Sequence, residues 1–471
     1  MITAKRKTNF TEGPMFFRIL LFALPIMATG ILQIVYNMAD NIVVGQFSND
    51  PTALGAVGST SSLNNLILTL IIGMSAGTSV VVAQCIGSKN DKDVSRAVHT
   101  AMAFSLFAGL FSCFVGLIIS KPVLALIGTQ ESLLEQATLY MRIISLGIPA
   151  SAIYNFGASI LRSAGDSKTP LIVLASTGLV NVLLNLLFVI VFEMSVAGVA
   201  LATIIAQYLS AISVVLVLMS RKNQPYRFSF KKLCFDMRLF KRILRIGVPS
   251  GIQSSLFSFA NIVLTNGVNS FGIESYITAY TITNNIDAIT YTACNSFMQA
   301  AMTFTGQNFG AMKYNRIRKT LMFSLILVSA VGIAVAQLEL LFGEQLVSLY
   351  VDSEAENREL VTAKTLEMLK LLLNTYFLCG VMEVIMGVLR GLGYSISPMI
   401  ISLTGACAFR IFWRYVFFPL EQFNTLNGLL ISFPLSWITT ISMLLVLFIF
   451  AWKKLKKITQ KSLLANKKTE K

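Results

Sequence analysis

Two stretches decide the fold: Arg162-Ser-Ala-Gly165-Asp-Ser-Lys-Thr-Pro170 and Arg390-Gly-Leu-Gly393-Tyr-Ser-Ile-Ser-Pro398. Each follows an apolar run and precedes another. Each carries Arg, Gly and Pro at the same spacing, and the second lies 228 positions after the first. Glycine after a helix and proline at the start of the next are turn and helix-start signals. Two further blocks keep nearly the same offset. Arg18-Ile-Leu with Pro25 and Asn37 matches Arg242-Ile-Leu with Pro249 and Asn261, and Gln84-x-x-Gly87 matches Gln307-x-x-Gly310. Three blocks in one order mark an internal duplication, and a repeat decides architecture.

The runs between these blocks are too apolar for a soluble domain. The 471 residues are 55% hydrophobic and 13% charged, against about 25% charged in soluble proteins. A run of about 20 apolar residues crosses a bilayer core of about 30 Å as a helix. The sequence predicts twelve spans: 15–42, 53–86, 94–119, 133–160, 168–192 and 196–219, then 239–270, 275–308, 316–341, 361–390, 396–418 and 424–452. The first is read as a retained span, because no cleavage site follows it. The fold class expected is an all-α polytopic membrane protein with 12 transmembrane helices in two six-helix lobes. Six spans per half give both copies the same orientation, hence a pseudo-two-fold axis along the membrane normal. The domains expected are 1–220, a linker 221–238, 239–452 and a basic tail 453–471.

The net charge of +16 does not indicate nucleic acid, because the Lys and Arg sit in short segments between apolar runs. Lys5, Arg6, Lys7, Arg18, Lys89, Lys92, Arg96, the stretch from Arg221 to Arg245, Lys313, Arg316, Arg318, Lys319 and the lysines from Lys453 onward fall on one side. Glu131, Glu135, Glu193, Glu274 and a loop from Glu339 to Glu367 fall on the other. Positive charge stays inside, so both termini are expected in the cytoplasm and the protein in the plasma membrane. The six cysteines form no C-x-x-C pair, and neither a metal site nor a disulfide framework is expected. The single histidine, His99, reads as a packed or interfacial residue. A P-loop, a G-x-S-x-G elbow and a catalytic cluster are all missing from the sequence, so enzymatic chemistry is not expected.

Three carboxylates fall well inside predicted spans: Asp40, Asp287 and Glu383. A charge at mid-bilayer costs at least about 2.5 kcal/mol, which makes each a functional candidate. A proton, a metal cation and an organic cation can compete for such a group, and competition is the minimum for antiport. Asn37, three residues before Asp40, can share its helix face. Asp287 and Glu383, the latter with its repeat mate Asn155, can bind a cationic substrate, form a second coupling site, or pair with Arg410 or Arg414 as structural ion pairs. Pro25 removes a backbone hydrogen bond inside the first span, which gives either a fixed kink or a hinge.

The early Pro25, Asn37-Met-Ala-Asp40, the paired Gln-x-x-Gly blocks and the paired Arg-x-x-Gly blocks resemble the multidrug and toxic compound extrusion (MATE) family over residues 15–450. Asp40 makes the chain most similar to the branch that couples export through its N-terminal lobe. The resemblance implies antiport of cationic or amphipathic drugs against protons or sodium, with no cofactor beyond the coupling ion. It implies Asn181, Asn185 and Thr203 as partners of Asp40. It also expects a second acid where Asn185 stands; one charge fewer favours the proton over sodium. The partners expected are small organic cations and the bilayer, with no nucleic acid, and a monomer. The alternative is a lipid-linked saccharide flippase of the same superfamily, which would need several cleft Arg or Lys to hold phosphates.

Overall fold

The computed structural model describes residues 9–47, 53–351 and 357–469, which are helical and form no strand. Lys5, Arg6 and Lys7 lie outside them, as do the side chains beyond Lys457. The long helices are α1 (Met15–Phe47), α2 (Ala53–Gly87), α3 (Asp91–Leu126), α4 (Glu131–Ser163), α5 (Lys168–Leu186), α6 (Ser195–Ser220), α7 (Met237–Asn269), α8 (Glu274–Gly310) and α9 (Tyr314–Leu341). The last three are interrupted: α10 (Arg358–Thr375 with Phe377–Gly391), α11 (Ile396–Phe417) and α12 (Leu426–Leu430 with Ser432–Thr469).

The repeat blocks fold alike. Gly165 and Gly393 adopt φ of +90° and +92°, the left-handed region where a side chain is strained. That geometry closes α4 and α10 in the same way. Gly165 N–H donates to Arg162 O (2.8 Å) and Asp166 N–H to Leu161 O (2.9 Å). Gly393 N–H donates to Arg390 O (2.8 Å) and Tyr394 N–H to Leu389 O (3.0 Å). These bonds satisfy carbonyls that a helix end leaves orphaned. Pro170 and Pro398 then fall in the first turns of α5 and α11, where a missing N–H costs nothing. The ends of α2 and α8 match as well: Lys89 and Met312 both take φ of 55°.

Nine helices among the described residues are long and apolar enough to cross a membrane, and α10 makes ten if its two pieces count as one span. The expected spans that fall short are α7 and α8. Their length is ample, but α8 carries Asn284, Asn285, Asp287, Thr290, Asn295 and Gln299. Such a helix must face protein or water over part of its surface. The tenth span, expected to be continuous, bends by 43° between Thr375 and Phe377. There the Thr375 hydroxyl donates to Leu371 O (3.1 Å) and Leu372 O (3.0 Å), and Tyr376 N–H bonds Leu373 O in a tighter, three-residue step. Hydroxyl back-bonding of this kind bends helices. The acidic loop expected from Glu339 to Glu367 is also shorter than its sequence suggested. Glu339 lies in the last turn of α9 and Glu367 within α10.

The chain divides into two compact units. Unit 1 holds Leu21–Ser255 with the N-terminal stretch ending at Gly13, and unit 2 holds Pro14–Leu20 with Leu256–Lys471. In unit 1, α4 packs against α2, α3 and α6. The first half of α7 closes on α2: a Cβ on Gly73 would meet Gly251 Cα at 2.3 Å, and one on Gly77 would meet Ile243 O at 2.3 Å. Only glycine lets two backbones approach so closely. In unit 2, α8 packs against α9 and both pieces of α10. Large apolar side chains line outer faces, among them Phe107, Phe111 and Phe114 on α3 and Ile449 and Phe450 on α12. Lipid is the solvent such faces require. The chain is a multi-pass membrane protein.

Candidate functional site

The site in unit 1 is built where α1 meets α5. Gly178 on α5 leaves room for the Tyr36 ring, whose Cε2 would lie 1.9 Å from an added Cβ. The Tyr36 hydroxyl donates to Ala175 O at 3.0 Å. One turn beyond Tyr36, Asp40 Oδ1 accepts a hydrogen bond from Asn185 Nδ2 at 2.5 Å. Asn185 is fully buried, and its carbonyl Oδ1 has no hydrogen-bond donor. Asn181, one turn earlier and also buried, donates through Nδ2 to Thr203 Oγ1 on α6 at 3.4 Å. Thr177 and Ser210 join the same two helices at 2.7 Å.

The structure thus brings Asp40 together with Asn185, and Asn181 together with Thr203. Asn37 is exposed one turn before Asp40. Tyr140, a buried phenol on α4, lies within electrostatic range of Asp40. Sequence reading missed it, because a tyrosine in a membrane helix carries no spacing signal of its own. The Asp40 carboxylate and the orphaned Asn185 amide oxygen set polar oxygens side by side on apolar helices. Such a pair suits a proton or a hard monovalent cation.

Pro25 sits inside the unbroken helix α1, with the Thr29 hydroxyl donating to its carbonyl at 2.7 Å. Asn155, also in unit 1, turns back on its own helix and donates to Ser151 O at 2.9 Å.

Asp287, Glu383 and Arg410 belong to unit 2. Glu383 is buried on α10, with Arg390 two turns along the same helix as the nearby positive charge. Arg410 donates to Ser436 Oγ (3.1 Å) and Asn261 Oδ1 (3.4 Å) and lies over the Phe433 ring (4.1 Å). Arg414 lies over Phe418 (4.7 Å). Among the described residues neither arginine forms an ion pair with Asp287 or Glu383. The ion-pair reading of the two acids is therefore corrected: serine, asparagine and aromatic rings already hold the guanidinium groups. Among the described residues no group of three or more His, Cys, Asp or Glu side chains could hold a metal ion, and all six cysteines are free thiols.

His99 has a structural task. It is 1% exposed. Its Nδ1 bonds Ser95 O (2.7 Å), its Nε2 accepts from Ser229 N–H (3.1 Å), and its ring stacks on Phe228. With Asp236 N–H on Thr100 Oγ1 (3.0 Å) and the Arg238–Asp93 pair (2.9 Å), it fastens the basic linker to α3.

An acid held by a buried amide inside a membrane-spanning unit marks an ion or substrate path and points to a transporter. The MatE family pattern matches residues 25–187 and 249–416, and the chain belongs to the MatE family, whose members are transporters and not enzymes. It is 28% identical over 390 residues to the probable multidrug resistance protein YoeA of Bacillus subtilis, covering 81% of this chain and 82% of YoeA. It is 25% identical over 415 residues to the probable multidrug resistance protein NorM of Thermotoga maritima, covering 86% of each. Its fold matches the outward-facing structure of a MATE family transporter with a TM-score of 0.88 at 20% identity, over 97% of this chain and all of the other.

Proposed function

We propose that the protein exports cationic or amphipathic organic compounds across the plasma membrane by antiport against protons or sodium, with both termini in the cytoplasm and the monomer as the working unit. The observation that carries this reading is the Asp40–Asn185 hydrogen bond, a carboxylate held by a fully buried amide on an apolar helix. The multidrug resistance names of YoeA and NorM support the same cargo class.

In the ion-free state Asn185 donates to the carboxylate and stabilises its charge. A proton or a sodium ion neutralises Asp40, while a cationic compound needs it charged. The two ligands therefore oppose each other, and binding one weakens the other by the same factor. Asn181 and Thr203 supply further oxygens on α5 and α6, and Asn37 meets the ion on the exposed side. Asp287 and Glu383 give organic cations negative counter-charges in unit 2. Pro25 is the point where α1 changes its bend as access alternates between the two sides of the membrane. The missing second acid at Asn185 favours the proton.

The test is efflux of an organic cation from proteoliposomes under an imposed pH or sodium gradient. Asp40→Asn is expected to abolish gradient-driven efflux and to weaken binding of the organic cation while leaving a folded protein. Full gradient-driven efflux by that variant overturns the assignment.

A further inference from the structure

The basic linker that follows α6 and the start of α3 enclose a surface cavity of about 480 Å³. Lys92 and Arg96 line it from α3, and Lys222, Arg227 and Lys232 line it from the linker. Asp91 is the one acid among the lining residues. All of them belong to unit 1. Their charges are poorly compensated. Among the described residues Lys92, Lys222 and Lys232 enter no ion pair, and Arg96 reaches Asp236 only at 3.9 Å. Arg227 uses one nitrogen, Nε, to donate to Met219 O at 3.1 Å. The neighbouring acids are engaged elsewhere, Asp93 with Arg238 (2.9 Å) and Asp166 with Arg221 (2.7 Å).

The lining is fixed from beneath. Phe228 is buried, its N–H donates to Leu218 O (3.2 Å), and its ring stacks on His99. Ser229 N–H and Asp236 N–H donate to His99 and Thr100 on α3. These anchors hold like charges close together, and an anion between them relieves the repulsion. A phosphate group offers several acceptor oxygens, which suit Lys and Arg donors converging from two segments.

The adjoining side chains decide what carries that phosphate. Phe230, Leu233, Phe235 and Met237 are each half or more exposed. The segment lies where the α3 and α6 spans end, hence at the membrane surface. Apolar side chains beside lysines at that depth sit among headgroups and acyl chains. Facing water, they would leave an apolar patch without a partner. A phosphate on a lipid satisfies both the cations and the apolar neighbours, and a free phosphate ion satisfies only the cations.

We propose that this cavity binds the phosphate headgroup of one anionic phospholipid, whose acyl chains lie along Phe230 and Leu233. The lipid ties the start of α3 to the linker. The site requires neither Asp40 nor antiport, so it stands or fails apart from the transport reading.

The experiment uses a label that the native chain already accepts. Cys234 is exposed and the other five cysteines are buried. The full-length protein, carrying an environment-sensitive fluorophore on Cys234, is placed in phosphatidylcholine nanodiscs with rising fractions of phosphatidylglycerol. Emission should shift and saturate. Lys222→Gln and Lys232→Gln should each raise the half-saturating fraction about fivefold, the contribution of one lysine at an anionic surface. Phe230→Ser with Leu233→Ser should raise it as well. Lys241→Gln, an exposed lysine that does not line the cavity, should leave it unchanged. Native mass spectrometry of the unlabelled protein reads the same site without the probe: one phosphatidylglycerol retained per chain, and none after Lys222→Gln with Lys232→Gln. An emission that ignores phosphatidylglycerol overturns the proposal. So does an equal loss with Lys241→Gln, which would show general attraction to a basic face. Inorganic phosphate reaching the same end point in pure phosphatidylcholine, at matched ionic strength, would assign the cavity to the free ion and overturn the lipid.

Discussion

Replacing Asn185 with Leu separates the two ions that Asp40 can take. The side chain is fully buried and donates to Asp40 Oδ1 at 2.5 Å. A hydrogen bond to a charged group contributes about 1.5–3 kcal/mol. Leu has similar volume, so packing on α5 changes little, but the ion-free carboxylate loses that stabilisation. For a proton the consequence is tighter binding. About 1.4 kcal/mol per decade converts the loss into a fall of about 10- to 100-fold in the proton concentration that gives half-maximal efflux. For sodium the sign reverses, because the orphaned Asn185 Oδ1 is an oxygen ligand that Leu cannot supply. The half-saturating sodium concentration then rises. The assay is initial-rate efflux of an organic cation from proteoliposomes, with pH and sodium varied independently. Half-saturation unchanged for both ions would refute the role given to the Asp40–Asn185 bond.

Other outcomes follow from particular contacts. Gly73→Ala sets a Cβ 2.3 Å from the Gly251 backbone and should cost about 3 kcal/mol or more, whereas Gly58→Ala meets nothing within 4 Å and should gain about 0.5–1 kcal/mol; thermal unfolding in detergent compares the two. Gly165→Ala and Gly393→Ala each force a side chain into the left-handed region at about 1–2 kcal/mol, and the two midpoints should fall by similar amounts. His99→Ala leaves the Ser229 N–H without its acceptor at about 1–3 kcal/mol. Tryptic cleavage at Arg227, Lys231 and Lys232 should accelerate, and an unchanged digestion rate would show that other contacts hold the linker.

The helical class and the duplication were legible in the sequence because they rest on composition and on glycine and proline, whose conformational demands are local. Arg162-x-x-Gly165 and Arg390-x-x-Gly393 close their helices in the same way, since one backbone problem has one inexpensive solution. The left-handed turns at Lys89 and Met312 were not legible, because neither residue announces a positive φ. Asp40 stood out as an acid on an apolar face. Its bond to Asn185 came from family likeness, since no rule of spacing brings α1 to α5. Glu339 was misread because a charge near the end of an apolar run usually marks a loop. The corrective signal lay in the helical period: Val328, Gly332, Ala336 and Glu339 fall on one buried face of α9. Tyr140 carried no such signal.

The glycine contacts between α2 and α7 bear on how the chain is made. Residues 237–255 emerge from the ribosome after the whole of α1–α6, yet they complete unit 1 by lying against Gly73 and Gly77. The first unit therefore waits, with that strip of α2 uncovered, until part of the next segment has been synthesised. A fragment cut at Ser220 lacks its own last wall, whereas one extended to Ser255 carries it. The duplicated gene segments and the pieces that fold are offset by roughly half a helix.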